Sequence, residues 1–154
     1  MNNLDGNLIS IIIVAGISLF LAVFLVVILK RKRKSYEKCD FDELTGEEFE
    51  EYCAYVLEYA GFESVEITKG SADRGIDILA EKDDITYAIQ CKCYGTNIGN
   101  HAIQEAYSGK GIYDTDVAVV LTNSYFTRQA IEDAKKLHVH MWDRDKLIEL
   151  RDNH

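Results

Sequence analysis

The residues with the clearest capacity for chemistry are acidic, amide and basic side chains on two consecutive strand-like segments. Asp73 and Asp77 bracket Gly75 at the start of one segment, and Gln90 and Lys92 lie on the next. Because side chains alternate along a strand, Gln90 and Lys92 share one face, and Asp77 points to one face of its own segment. If the two segments are neighbours in a sheet, Asp77, Gln90 and Lys92 form one cluster.

This cluster would suit a divalent metal ion and a phosphodiester. Mg²⁺ prefers oxygen ligands, which Asp77, the side-chain carbonyl of Gln90 and a strand backbone carbonyl such as that of Cys91 could provide. A bound ion would polarise a phosphate and acidify a water molecule. Lys92 could orient or deprotonate that water and offset charge in the transition state. Glu50, at the border of the apolar stripe of an earlier helix, could bind a second metal or hold a water molecule.

A purely structural interpretation accounts for the same residues. Asp77 and Lys92 could form a cross-strand ion pair, and Asp73 with Gly75 could shape a turn. A glutamate at the border of a helix stripe, such as Glu50, is more often solvated than bound to a metal. The spacing of the residues leaves both interpretations open.

The segments that would position these residues alternate between helix and strand. Thr45 and Glu48 form a capping box before an amphipathic helix that ends at Gly61. Three strand-like runs follow and would suit an antiparallel meander, and helices alternate with strands after them. The pattern predicts an α/β domain with a mixed central sheet. The predicted strands span 64–68, 75–80, 86–93, 117–121 and 138–142, and the later helices span 97–113, 127–137 and the residues from 143.

An apolar segment precedes this domain. Residues 8–29 carry no charge and are long enough to cross a membrane as a helix. Five basic residues follow at 30–34, whereas only Asp5 precedes the segment, so the positive-inside rule places the amino terminus outside and the domain in the cytoplasm. A signal peptide has the opposite order of charge. We expect a short extracytoplasmic segment at 1–7, a transmembrane helix at 8–29, a basic linker at 30–40 and a domain at 41–154.

The charge of the domain is unusual for a protein that binds nucleic acid. From Ser35 onward there are 12 basic and 25 acidic residues, a net charge of −13. DNA-binding surfaces are usually basic, because phosphate contacts and counterion release supply much of the affinity. This composition counts against tight, nonspecific binding to DNA.

The motifs together resemble the Mrr-type branch of the PD-(D/E)xK nuclease superfamily, to which type IV restriction enzymes belong. In that branch a helix with a Phe-Glu pair precedes an Asp-x-Gly-x-Asp turn and a Gln-x-Lys strand. All three pieces occur here in order, as Phe49-Glu50, Asp73 to Asp77 and Gln90 to Lys92. The similarity also includes Leu44-Thr45-Gly46, Gly61-Phe62, Gln104-Glu105, Thr122 to Phe126 and Trp142-Asp143.

The resemblance implies a restriction-endonuclease-like three-layer fold and cleavage of DNA with Mg²⁺, or with Mn²⁺ as a substitute. It implies that Asp77, Gln90 and Lys92 correspond to the core catalytic motif and that Glu50 corresponds to the carboxylate of the first helix. Asp77, Gln90, the Cys91 carbonyl and Glu50 are then the candidate metal ligands. Supporting roles fall to Asp73, Gly75 and Gln104.

The expected function is a membrane-anchored DNA endonuclease that restricts foreign DNA, with DNA and the membrane as partners. A homodimer could double weak contacts with DNA. The alternative is a non-catalytic, membrane-tethered module that keeps the nuclease fold and binds nucleic acid or a protein. The acidic charge favours this alternative, and the intact cluster of Asp77, Gln90 and Lys92 disfavours it.

Overall fold

The computed structural model describes residues 3–36, 39–68 and 75–152 and divides the chain into two compact units, Met1–Cys39 and Asp40–His154. The first unit contains one helix, α1 (Asn3–Tyr36). Its segment Ile11–Ile28 has a mean hydropathy of 3.3, and none of it is buried. The helix is long and apolar enough to cross a membrane, and a signal sequence near the amino terminus would have the same properties.

The second unit is a five-stranded mixed sheet between two layers of helices. The strands lie in the order β1-β2-β3-β4-β5; β1 to β3 are antiparallel, and β4 and β5 run parallel to β3. This topology confirms the predicted α/β class, the meander and the mixed sheet. The strands are β1 (Glu63–Ile67), β2 (Ile78–Lys82), β3 (Ile85–Lys92), β4 (Val117–Thr122) and β5 (Val139–Trp142), and the helices are α2 (Gly46–Tyr59), α3 (Asn100–Tyr113), α4 (Arg128–Leu137) and α5 (Arg144–Asp152).

The two helix layers cover opposite faces of the sheet. Ala118 and Val120 of β4 belong to one buried cluster with residues of α3 and α4. Their neighbours Val119 and Leu121 are equally buried and, by alternation along the strand, point to the other face, where α2 and α5 pack. Strand β4 is therefore covered on both faces, which accounts for its continuous run of apolar residues.

Helix α2 begins at the capping box expected from the sequence. Thr45 Oγ1 accepts a hydrogen bond from Glu48 N at 3.4 Å, and Thr45 N donates to Glu48 Oε2 at 2.9 Å. These bonds satisfy backbone groups that an uncapped helix leaves free. The helix buries Phe49 against the sheet and leaves Glu50 half-buried beside it, so the cap fixes which side of the helix Glu50 occupies.

Asp77 lies one residue before β2, although the sequence placed it inside a longer strand. Its backbone nevertheless continues the ladder on both sides. Asp77 N donates to Ile89 O at 2.9 Å, and Thr68 N donates to Asp77 O at 2.9 Å. The carboxylate is therefore held by hydrogen-bonded backbone at the strand entrance.

Helix α3 begins at Asn100, three residues later than the sequence indicated. The preceding segment is extended instead, because Ile98 forms a parallel bridge with Phe126. Ile98 N donates to Tyr125 O at 2.7 Å, and Thr127 N donates to Ile98 O at 2.9 Å. These bonds join the segment after β3 to the segment after β4 at one edge of the domain.

Helix α3 approaches the start of β2 so closely that Gly109 has no room for a side chain. A Cβ atom at Gly109 would lie 2.2 Å from Cγ1 of Ile76, which is fully buried, whereas a Cβ at Gly111 would meet no atom within 4 Å. We expect Gly109→Ala to lower the free energy of unfolding by about 1–3 kcal/mol through overpacking. Gly111→Ala, in the same helix, should raise it by about 0.5–1 kcal/mol.

Denaturant unfolding of the full chain in detergent, followed by fluorescence, measures both changes. Trp142 in β5 is the single tryptophan of the chain, so its emission reports on the second unit rather than on α1. Equal changes in the free energy of unfolding for the two variants would contradict the close packing of α3 at Gly109.

Candidate active site

The structure brings Asp77, Gln90 and Lys92 to the same face of the sheet. Gln90 and Lys92 pair in register with Val120 and Thr122 of β4, and Val120 belongs to the core cluster beneath α3. Asp77 precedes Ile78, which pairs with Ile89, so its side chain points to the face that Gln90 occupies. Gln90 Nε2 donates a hydrogen bond to Asp77 Oδ2. The neighbouring strands predicted from the sequence therefore bring the acid and the amide into contact.

Backbone and amide donors fix the carboxylate of Asp77. Cys91 N donates to Asp77 Oδ2 at 2.6 Å, and Gln90 Nε2 also lies 3.3 Å from the Cys91 carbonyl oxygen. Both side chains are buried, with 7% of Asp77 and 4% of Gln90 exposed. The opposite orientation of the Gln90 amide would place its oxygen against the carboxylate, so these contacts determine which way the amide points.

The oxygen of the Gln90 amide, unlike its nitrogen, has no hydrogen-bond partner among the described residues. This oxygen, Oε1, is buried. Buried polar atoms are nearly always satisfied in folded proteins, and an unsatisfied one raises the free energy of the folded state. An electron-rich oxygen without a donor is a suitable ligand for a hard cation.

Gly75 lies against this oxygen and permits the close packing of the site. Its φ is +79°, and a Cβ atom there would lie 3.1 Å from Gln90 Oε1 and 2.9 Å from Glu105 Cβ. A residue with a side chain would be strained by the backbone conformation and would crowd both neighbours. Gly75 therefore contributes to the site through its lack of a side chain.

An acidic residue of α3 contacts Lys92. Lys92 Nζ lies 2.9 Å from Glu105 Oε2, and the other oxygen of Glu105 lies 3.4 Å from His101 Nδ1. Gln104, which the sequence suggested as a supporting residue, is exposed on α3. The residue that α3 presents to the cluster is thus Glu105, and the sequence reasoning had not assigned it a role.

Glu50 and Asp77 both lie near Cys91. Burial raises the pKa of the Cys91 thiol well above its usual value, a hydrogen bond with Cys53 raises it further, and the negative charges of Asp77 and Glu50 add smaller contributions. Glu50 lies on α2 and is close enough to Cys91 for its charge to act on the thiol. Asp73 lies outside the described residues.

The described residues fit a metal site with few protein ligands. Within 3–36, 39–68 and 75–152, no group of three or more His, Cys, Asp or Glu side chains could hold a metal ion. The oxygens at the cluster are those of the Asp77 carboxylate and the Cys91 carbonyl, both of which contact Gln90 Nε2, and Oε1 on the same Gln90 amide. Mg²⁺ commonly takes one or two carboxylates and completes its shell with water and substrate phosphate, so this donor set is chemically suitable.

The family comparison covers nearly all of the second unit. The Mrr_cat family model, described as restriction endonuclease, matches residues 41–151. No curated protein sequence matches the chain significantly.

Three solved structures share the fold. AF1548, a protein of unknown function, is 21% identical with a TM-score of 0.54, over 65% of this chain and 63% of that one. The DNA modification-dependent restriction endonuclease AspBHI is 19% identical with a TM-score of 0.53, over 67% and 30% of the two chains. VC1899 from Vibrio cholerae is 15% identical with a TM-score of 0.52, over 70% and 32%.

The present chain spans less than two thirds of each of these three structures, and at such identities the likeness concerns the fold. The fold is the restriction-endonuclease-like architecture expected from the sequence motifs. The family model matches residues 41–151, which is nearly the whole of the second unit, Asp40–His154. The chain therefore belongs to the Mrr_cat family of restriction endonucleases.

Proposed function

We propose that this chain is a divalent-metal-dependent DNA endonuclease whose reaction takes place at Asp77, Gln90 and Lys92. The restriction endonuclease family supports a DNA-cleaving hydrolase. The single observation that carries the site assignment is the buried Gln90 Oε1, which has no hydrogen-bond donor among the described residues and belongs to the amide whose nitrogen contacts the fixed Asp77 carboxylate. A cation that binds this oxygen would offset the free energy that its unsatisfied burial costs.

The proposed ion is Mg²⁺, with Mn²⁺ as a substitute, because restriction endonuclease domains generally use divalent metals. Asp77 and Gln90 would hold it, with the Cys91 carbonyl as a third oxygen and Glu50 as a further carboxylate. When bound, a divalent ion at these oxygens polarises a phosphate and acidifies a bound water molecule.

Lys92 supplies positive charge on the open side of the cluster. As an ammonium group paired with Glu105, it has hydrogens to donate and no lone pair, so it orients the attacking water and offsets charge on the phosphate oxygens. The water oxygen forms a new bond to phosphorus while one ester P–O bond breaks. One water proton passes to solvent, and the leaving alkoxide takes a proton from solvent.

Glu105 should act as a positioning residue for Lys92. We expect Glu105→Ala to slow DNA cleavage by about 10- to 100-fold, a range typical for loss of a residue that orients a catalytic group. Gln104→Ala, the adjacent control, removes an exposed side chain and should leave the rate within about twofold. Single-turnover cleavage by both variants is the measurement, and a larger loss in the Gln104 variant would reject the assignment.

The proposed activity is tested with the full chain in detergent. It is incubated with supercoiled plasmid, linear DNA and RNA, in Mg²⁺, in Mn²⁺ and in chelator; the fold shared with AspBHI makes methylated and unmethylated DNA a useful pair. We expect DNA to be cut only with metal. Nicked circles as the first product would indicate one site acting alone, and linear product without a nicked intermediate would indicate a homodimer. A folded chain that cuts no DNA would reject the proposal.

We further propose that α1 spans the membrane and holds the domain at its cytoplasmic face, where it would restrict incoming foreign DNA. The apolar segment Ile11–Ile28 and the basic run at 30–34 support this arrangement. The intact mass of the chain isolated from membranes should include residues 8–29, and the domain should resist protease added outside spheroplasts. A mature chain without the apolar segment would show instead that α1 is a signal sequence.

A second candidate function is a non-catalytic module that is tethered to the membrane and binds nucleic acid or a protein. The observation in its favour is the net charge of −13 from Ser35 onward. DNA binding that persists in chelator and never leads to cleavage in metal would support this function.

A further inference from the structure

A cavity of about 380 Å³ lies at the carboxyl ends of β3 and β4, beside the strand that carries Lys92. Tyr94 and Gly95, which follow β3, form one wall, and Ser124 and Tyr125, which follow β4, form another. We call it the Tyr94–Tyr125 pocket. Thr122 Oγ1, at the end of β4, donates to Lys92 O at 2.6 Å, so the same two strand ends support the pocket and the catalytic lysine.

The floor of the pocket is a built, charge-balanced network. Arg144 Nη1 and Nη2 donate to the two carboxylate oxygens of Asp42, each at 2.7 Å. Asn123, 5% exposed, donates to Asp42 through Nδ2 at 3.0 Å and accepts from Tyr94 N at 2.8 Å. The Arg144 hydrogen bonds lower the pKa of Asp42, so the pair stays ionised and neutralises itself. Such a floor does not favour a free anion.

The walls are aromatic and accessible. The side chains of Tyr94 and Tyr125 are large and exposed, at 55% and 44%, and Tyr125 is held in place by a hydrogen bond from its hydroxyl to Asp145 Oδ1 at 3.1 Å. Two accessible rings around a polar, neutral floor suit a flat heteroaromatic ligand, which stacks on tyrosine and hydrogen-bonds at its edges.

The charge of the domain supports a nucleobase as that ligand. With 12 basic against 25 acidic residues from Ser35 onward, the domain gains little affinity from phosphate contacts. Stacking of bases on aromatic side chains is a source of affinity that needs no positive charge and tolerates any base sequence. A binding site made of tyrosines is therefore what an acidic nuclease domain requires to retain its substrate.

We propose that the Tyr94–Tyr125 pocket binds one unstacked nucleobase of the DNA strand whose phosphodiester lies at Asp77, Gln90 and Lys92. This inference rests on the proposed nuclease function and deepens it. A base inside a duplex must leave its stack to enter such a pocket, at an energetic cost that an unpaired base does not incur. The preferred substrate is therefore single-stranded DNA, or duplex DNA with an unpaired nucleotide next to the cut.

The test is binding of a short fluorescein-labelled single strand to the full chain in detergent and chelator, measured by anisotropy without cleavage. Tyr94→Ala and Tyr125→Ala should each weaken binding by roughly 5- to 150-fold, the range for loss of one base–aromatic stack. Tyr94→Phe keeps the ring and should bind within about twofold of the wild type. Tyr107→Ala removes a tyrosine that is 50% exposed on α3, outside the pocket, and should have no effect.

A blocking variant tests the pocket without removing any contact. A Cβ at Gly95 would meet no atom within 4 Å, so Gly95→Leu adds a side chain into open space and should weaken binding of the single strand. A fully paired duplex of the same sequence should bind more weakly than the single strand, and an unpaired nucleotide should restore affinity.

Equal affinity of the alanine variants and the wild type, or equal binding of single strand and duplex, would overturn the proposal, as would a wild-type chain that binds no DNA in chelator. Failure of the pocket and failure of the nuclease function are distinguishable. A chain that cuts DNA with metal but binds normally without Tyr94 or Tyr125 has the activity and lacks this site. A chain that needs both tyrosines for binding and never cuts has the site and lacks the activity.

Discussion

Lys92→Ala should fold like the wild-type chain and lose roughly 10²- to 10⁴-fold of its single-turnover rate of DNA cleavage. This range is typical for loss of a group that assists proton transfer or stabilises charge at a reacting centre. The structure places Lys92 on the face of β3 that carries Gln90, where it forms an ion pair with Glu105.

The fold of this variant should be retained because the Lys92–Glu105 pair is partly exposed, at 19% and 29% of the two side chains. Ion pairs of this kind contribute about 1 kcal/mol or less to stability. Lys136→Ala is the control, since Lys136 forms an exposed ion pair with Asp133 within α4 and contacts none of the cluster residues in the described pairs. If Lys92→Ala cleaves DNA as fast as Lys136→Ala, Lys92 has no role in the reaction.

Asp77→Asn should abolish both cleavage and the stabilisation of the domain by metal. A ligand that binds only the folded state raises the free energy of unfolding by about 2.7 kcal/mol at 100 times its Kd, so saturating Mn²⁺ or Mg²⁺ should raise the Tm of the wild type. The asparagine side chain carries no charge to hold the cation, so the Tm of the variant should stay constant as metal is added.

The geometry indicates that Asp77→Asn keeps the fold in the absence of metal. The asparagine oxygen can replace Oδ2, the carboxylate oxygen that accepts hydrogen bonds from both Cys91 N and Gln90 Nε2. Trp142 fluorescence follows unfolding of wild type and variant across a metal titration. An equal rise in Tm for the two proteins would place the metal away from Asp77.

The alternation of residues along strands made the central cluster predictable. Whether Asp77, Gln90 and Lys92 meet depends on the face of the strand to which each side chain points. The apolar residues of a strand show which face is buried, and the polar residues are placed relative to them. The capping box at Thr45 likewise fixed the start of α2 and the border position of Glu50. These features are local, so the sequence contains the information that determines them.

The contribution of α3 was less predictable because the helix start was placed too early. Because the extended residues around Ile98 were included in the predicted helix, the side of the helix that packs on the sheet was not assigned. A signal was nevertheless present: Ala102, Ile103 and Ala106 are the small and apolar residues that the helix buries, and Glu105 lies at the edge of that stripe. Helical spacing from those residues would have favoured Glu105 over Gln104.

The Tyr94–Tyr125 pocket could not be predicted, because it depends on pairing between distant parts of the chain. Asp42 and Arg144 are 102 residues apart, and neither belongs to a motif that indicates the other. The pocket also depends on how the segments after β3 and β4 meet through Ile98 and Phe126. Contacts of this kind follow from the assembled sheet and not from local spacing.

The most direct measurement compares the wild-type chain with Asp77→Asn on supercoiled plasmid, at equal concentrations of folded protein, with Mg²⁺ and with chelator. We expect the wild type to convert the plasmid to nicked or linear DNA only with Mg²⁺, and the variant to leave it supercoiled in both conditions. Equal cleavage by the two proteins, or cleavage by the wild type in chelator, would contradict a metal-dependent nuclease site at Asp77.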